Sequence, residues 1–220
     1  MKYLPNLLTL LRLVLSLAMF AALVTIGAAE HGAQVSSQTG IALAWFSVIA
    51  FVVASVTDYF DGWLARRWGV TSLAGAILDP IADKILVCGA ILGLMIVGLP
   101  YMFGALGGLI LFREFAVSAL REVLAPRGIK LPVTFMAKTK TTLQLIALGA
   151  LMILWFWPAW NIPVPLDTLR LAWEVAQMVL LLATGVTLWT GVQYARAAAA
   201  ALKPNPEGEG GARARSVAGR

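Results

Sequence analysis

Asp58, Asp61, Asp79 and Asp83 are four of the chain's five aspartates, and all lie in the stretch DYFDGWLARRWGVTSLAGAILDPIAD. Asp58 and Asp61 are three apart and Asp79 and Asp83 four apart, so on helices each pair projects from one face. Carboxylates gathered this way are hard oxygen donors. With no histidine or thiolate among them they suit Mg²⁺ or Mn²⁺, and two such ions would balance four charges. These ions keep coordination positions for water and substrate phosphate, so the chemistry on offer is metal-assisted reaction at a phosphoryl group. Both flanks of the stretch are apolar, where an unpaired charge costs roughly several kcal/mol. Pairing with Arg66, Arg67 and Lys84 as a structural ion network is the other way to neutralise the acids. That network does not call for Gly62, Ala65 and Gly75, whose small size lets a ligand approach helix backbone. Arg66, next to Ala65, is placed to meet a phosphate.

The elements that must position these residues are membrane spans. The 220-residue chain is 60% hydrophobic and 13% charged, with a mean hydropathy of +0.84, which excludes a soluble globular domain. At about 1.5 Å per residue, six apolar segments are long enough for about 30 Å of hydrocarbon. They are Leu7 to Ala28, Ile41 to Leu64, Ile81 to Val97, Met102 to Leu124, Ala137 to Trp157 and Trp173 to Tyr194. The expected fold is therefore an all-α integral membrane protein of six transmembrane helices. Pro80 suits the first turn of the third span. The turn from Trp68 to Ala74 is short enough to make spans two and three antiparallel neighbours and to bring the four carboxylates together. Of 17 lysines and arginines, all but Arg170 fall on one side of this arrangement. The excess of basic residues on cytoplasmic segments then places both termini, and the acidic stretch, in the cytoplasm.

The remaining features call for no separate chemistry. Lys2, the first apolar run and Gly27-Ala28-Ala29 resemble a cleavable signal, but Arg12 interrupts the run and Pro5, Asn6 and Thr9 make a polar start, so it is read as the first span. His31, the only histidine, has no ligand set around it. Cys88 lies in an apolar run and is read as packing. Trp155, Trp157 and Trp160 fit an interfacial aromatic belt. The net charge of +6 is spread over loops, which favours anionic lipid or phosphate over nucleic acid as partner. Residues 1–202 read as one six-helix transmembrane catalytic domain, and 203–220, rich in Gly, Pro and charge, as a disordered cytoplasmic tail.

The pattern Asp58-x-x-Asp61-Gly62-x-x-Ala65-Arg66, eight positions, Gly75-x-x-x-Asp79-x-x-x-Asp83 resembles the signature of the CDP-alcohol phosphotransferase family at every position. The resemblance implies that family's six-helix fold, two catalytic metals, a homodimer, and displacement of CMP from a CDP-linked lipid by an alcohol. It makes Asp58, Asp61 and Asp79 metal ligands and Asp83 both ligand and general base. Gly62, Ala65, Arg66, Ser72 and Gly75 would hold CDP-diacylglycerol. Pro5-Asn6-Leu7-Leu8-Thr9 also resembles the family's opening segment, where Asn6 and Thr9 would line the nucleotide site. The setting it implies is a bacterial inner membrane.

Two further segments bear on the acceptor. Phe112-Arg113-Glu114 followed by Ser118-Ala119-Leu120-Arg121-Glu122, and Ala137-Lys138-Thr139-Lys140-Thr141-Thr142-Leu143-Gln144, are similar to bacterial members of the family that use glycerol phosphate. Ala137 and Thr139 depart from that pattern, and the last span carries none of the similarity. Arg113, Arg121, Lys138 and Lys140 are the candidate ligands of an acceptor phosphate, with sn-glycerol 3-phosphate the expected acceptor. Interfacial snorkelling explains the two lysines equally well, and Glu114, Ser118 and Arg121 share a helix face on which an internal ion pair is possible. The alternatives are a sister enzyme with another acceptor, as in cardiolipin, phosphatidylserine or phosphatidylinositol-phosphate synthesis, or a cation transporter. The transporter reading lacks a second acidic cluster towards the outside.

Overall fold

The computed structural model describes residues 4–30, 32–68, 73–128 and 135–202, and their side chains except at 4–5, 30, 59–68, 73–77, 127 and 135–138. These residues form α1 (Leu4–Glu30), α2 (Ser37–Trp68), α3 (Leu73–Ile96), α4 (Tyr101–Leu124), a 3-10 turn at Ala125–Arg127, α5 (Phe135–Trp155), the short α6 (Trp157–Trp160) and α7 (Leu166–Ala201). No strand occurs among them. The apolar runs give helices because hydrocarbon offers the backbone no hydrogen-bond partner but itself. Buried hydroxyls obey the same rule: Ser47, Thr184 and Thr187 donate to the carbonyls of Leu43, Leu180 and Ala183 on their own helices.

Among the described residues four helical segments are long and apolar enough to cross a membrane: Asn6–Ala29, Ser37–Asp58, Tyr101–Leu124 and Leu166–Ala201. Thr139–Trp155 is apolar but shorter, and the described part of α3 carries Asp79, Asp83 and Lys84 in its first turns. Helix α3 starts at Leu73 and carries Pro80 in its interior, so the proline does not open the helix as its sequence position suggests. The tail, 203–220, lies outside the described residues.

Helix α1 packs along both α2 and α3, while α2 and α3 meet each other only lightly. The short turn between spans two and three thus does not make them close neighbours along their length; α1 lies between them. Helix α7 packs along α5 and α4, and contacts of α3 with α4 and α5, and of α2 with α5, join the two groups. Met19, Leu23, Ile91, Leu94, Leu148, Met152 and Leu180 fill the shared core. Outward-facing Leu10, Val14, Leu17, Phe112, Met178 and Leu182 are exposed, as suits side chains that meet lipid tails.

Small residues set how closely α1 and α3 approach, as in membrane helix pairs generally. A Cβ added at Gly27 would lie 2.5 Å from Ile96 Cγ2 and 2.6 Å from the Ile96 carbonyl oxygen. Because that oxygen belongs to backbone, it has little freedom to move away. Gly27→Leu is expected to destabilise the bundle by about 1–3 kcal/mol, read as a lower thermal midpoint in detergent. An unchanged midpoint would mean that the two helices are not held this close.

Candidate active site

One end of the bundle gathers the start of α1, the end of α2, the start of α3, the second half of α4, the start of α5 and the second half of α7. Arg170, at the start of α7, is at the other end. There Trp45 meets Trp160 edge to face at 3.8 Å, and Trp160 Nε1 donates to the Ile153 carbonyl.

The acidic residues converge on α1. Thr9 Oγ1 donates to Asp79 Oδ1 at 2.7 Å. One turn further along the same face, Arg12 Nη1 lies 2.6 Å from Asp58 Oδ1 and 2.5 Å from Asp83 Oδ1. Ser16 Oγ in turn donates to the Arg12 carbonyl at 2.7 Å. The Arg12 side chain is 1% exposed, whereas Asp58 and Asp83 keep 39% and 49% exposure. A buried guanidinium therefore supports the carboxylates from within, and they present open faces outward. In the sequence Arg12 counts as one of the basic residues that set orientation and as the break in the first apolar run, not as part of the site. The available signal was its burial cost, which demands a partner, together with its place three residues after Thr9 on one helix face.

The chemistry of the donor set fits a hard divalent cation, since carboxylate oxygens from α2 and α3 already converge on one cationic atom without nitrogen or sulfur ligands. Among the described residues no group of three or more acidic, histidine or cysteine side chains is placed to hold a metal by itself. Asp61 and Arg66, with Gly62, Ala65, Gly75 and Lys138, have side-chain positions outside the described residues, as does Ser72 entirely. Asn6, Thr9, Asp58, Asp79 and Asp83 are the described members of the metal and nucleotide set.

Beside the acidic cluster a cavity of about 320 Å³ opens between α3, α4, α5 and α7. Among the described residues its charged lining is Asp83, Lys84, Arg113, Glu114, Arg121 and Lys140, four cations against two carboxylates. Asp83 is the member shared with the acidic cluster. Arg113 is buried, with Nε donating to the Thr187 carbonyl at 3.0 Å and Nη2 to Thr190 Oγ1 at 2.9 Å. Gln144 Nε2 donates to Thr187 Oγ1 at 2.7 Å. Glu114 accepts from Lys140 Nζ and, at 3.2 Å, from Arg113 Nη1. Its partners therefore come from α5 and from the adjacent residue, not from Arg121 two turns along α4, whose Nη2 turns to Tyr194 Oη at 3.1 Å.

The described residues form a helical bundle with an apolar exterior and an acidic cluster opening on a basic cavity, the architecture of a membrane protein. A sequence model of the CDP-alcohol phosphatidyltransferase family matches residues 2–192, and the chain belongs to that family. Among curated relatives, the "CDP-diacylglycerol--glycerol-3-phosphate 3-phosphatidyltransferase" of Haemophilus influenzae is 34% identical over 164 residues, which is 73% of this chain and 81% of that protein. The protein of the same name from Cereibacter sphaeroides is 46% identical over 113 residues, so the chain spans only 50% of that relative's length. The "Probable phosphatidylglycerophosphate synthase" of Mycobacterium tuberculosis is 39% identical over 151 residues, 68% of this chain and 66% of that protein.

Proposed function

We propose that the protein transfers the phosphatidyl group of CDP-diacylglycerol to sn-glycerol 3-phosphate, giving phosphatidylglycerophosphate and CMP. The observation that carries this reading is the single cavity in which Asp83 of the acidic cluster faces Arg113, Arg121 and Lys140. An acceptor bearing its own phosphate needs such a basic surface within reach of the group that takes its proton. An uncharged alcohol does not. The names of the relatives point the same way.

In this reading Asp58, Asp61, Asp79 and Asp83 hold two divalent ions, Mg²⁺ or Mn²⁺, which when bound neutralise the diphosphate and the departing CMP. Asn6, Thr9, Gly62, Ala65, Arg66, Ser72 and Gly75 hold CDP-diacylglycerol. Arg113, Arg121, Lys138 and Lys140 take the acceptor's phosphate and orient its hydroxyl. As that oxygen attacks the β-phosphorus in line, Asp83 accepts the hydroxyl proton as general base. The bond from the β-phosphorus to the bridging oxygen breaks, and its electron pair leaves with CMP. Thr9 and Arg12 keep the carboxylates in place, while the lipid tails enter laterally between helices.

The setting that goes with this reading is a bacterial inner membrane, crossed six times, with both termini and the site on the cytoplasmic side and the enzyme a homodimer. The test is CMP release by the purified protein in detergent with CDP-diacylglycerol, comparing glycerol 3-phosphate with no acceptor and with phosphatidylglycerol, serine and inositol phosphate. Release should require glycerol 3-phosphate; release only with another alcohol would move the protein to a sister activity. Chelation with EDTA should bring release to background, and excess Mg²⁺ or Mn²⁺ should restore it. Turnover that persists in EDTA would remove the metal from the mechanism.

A further inference from the structure

Helix α7 contributes to the basic cavity although nothing in its sequence marks it for phosphate chemistry. Tyr194 is buried at 5% exposure and lines the cavity. Its ring centroid lies 5.5 Å from Arg113 Cζ and 5.1 Å from Arg121 Cζ, within the range of cation–π attraction for both. Its hydroxyl also accepts from Arg121 Nη2 at 3.1 Å. One aromatic side chain therefore touches two guanidiniums that would otherwise repel one another.

The rest of α7 serves the same arrangement. Thr187 and Thr190 fix Arg113 from below. At Gly191 an added Cβ would lie 2.9 Å from Arg113 Cγ, so the absent side chain gives the arginine its path across α7. Arg121 differs from Arg113 in being exposed, and Tyr194 is the partner given by the structure for its guanidinium. Two arginines held side by side, with Lys84 and Lys140 nearby and Glu114 and Asp83 as the carboxylates among the described lining residues, leave an excess of positive charge suited to an anion that carries two charges.

We infer that Tyr194 is a positioning residue for Arg113 and Arg121, and that through them it sets how tightly the cavity takes a phosphomonoester. This rests on the proposed acceptor site. In the proposed assignment Tyr194 is neither a metal ligand nor a donor contact, so its effect falls on acceptor binding and not on the donor site.

The experiment compares the full-length protein with Tyr194→Leu and Tyr194→Phe in detergent, measuring steady-state CMP release and, separately, the rise in thermal midpoint on adding glycerol 3-phosphate or inorganic phosphate without donor. Tyr194→Leu should raise KM for glycerol 3-phosphate about tenfold while changing KM for CDP-diacylglycerol less than about twofold. Tyr194→Phe keeps the ring and loses only the hydroxyl, so its KM for the acceptor should rise about threefold. Thermal protection by the phosphate compounds should weaken in the same order. Equal changes in both KM values, or wild-type acceptor KM and protection in Tyr194→Leu, would overturn the inference. Should Tyr194→Leu fail to fold, Tyr194→Phe decides alone, and an unchanged acceptor KM in it overturns the inference. If the wild type releases no CMP with glycerol 3-phosphate, the proposed reaction is what has failed. The protection measurement still decides the role of Tyr194, and protection unaltered by either variant counts against it.

Discussion

Asp83→Asn should lower CMP release about a thousandfold or more while CDP-diacylglycerol still binds. A positioned general base contributes about 10²–10⁴-fold, and the same substitution removes one anionic metal ligand. Asparagine has nearly the shape of aspartate and keeps an oxygen that can accept from Arg12, so the bundle end should stay assembled. Asp58, still paired with Arg12, and Asp79, held by Thr9, remain to support the donor. The checks are steady-state CMP release and equilibrium binding of labelled CDP-diacylglycerol to the same preparation. Turnover within tenfold of wild type would remove Asp83 from the role of base. Loss of donor binding together with turnover would make it a structural ligand only.

Arg12→Met has the second largest expected effect, and it shows in stability before it shows in catalysis. In the wild type one guanidinium nitrogen lies within 2.6 Å of carboxylate oxygens from two helices. Methionine keeps much of the stem volume but leaves Asp58 and Asp83 facing one another with no positive charge between them. Breaking a fully buried pair costs about 3–5 kcal/mol. Here the carboxylates keep 39% and 49% exposure, so about 2 kcal/mol is the better expectation. In EDTA the variant should therefore melt clearly below wild type, and Mg²⁺ should narrow the gap because it supplies positive charge at the same carboxylates. Arg12→Lys, which keeps the charge but loses the planar fork, should fall between the two. A variant that melts with wild type in EDTA would show that Arg12 does not hold the acids in place; a gap that Mg²⁺ leaves unchanged would separate the arginine's role from the metal's.

Much of this protein is readable without coordinates. Each apolar run falls on a helix, because a chain surrounded by hydrocarbon has few ways to satisfy its backbone. Helix ends are less legible: α2 runs on to Trp68 and α3 begins at Leu73, since polar residues at a membrane surface prolong a helix as readily as they end it. Pro80 illustrates the same point, as a proline that looks like a helix start sits inside α3. The spacing of Asp58, Asp61, Asp79 and Asp83 points to an acidic cluster, of which Asp58 and Asp83 meet on Arg12, because hydrocarbon makes each unpaired carboxylate costly and so makes its presence informative.

By itself, then, the sequence determined the membrane class and the family, and it named the acidic and basic residues from which the proposed site is built, for these follow from composition and from short spacings along one helix or its neighbour. Only the tertiary structure decided which residue answers which. Arg12 is 71 residues from Asp83, Arg113 is 77 from Thr190 and Arg121 is 73 from Tyr194. Helical periodicity tells which face a side chain occupies, not which distant helix comes to cover it. That choice is made by packing: the glycines that let α1 close on α3 and the Gly191 gap through which Arg113 crosses α7 set the pairs. Glu114 accordingly meets Lys140 of α5 and leaves Arg121 to Tyr194.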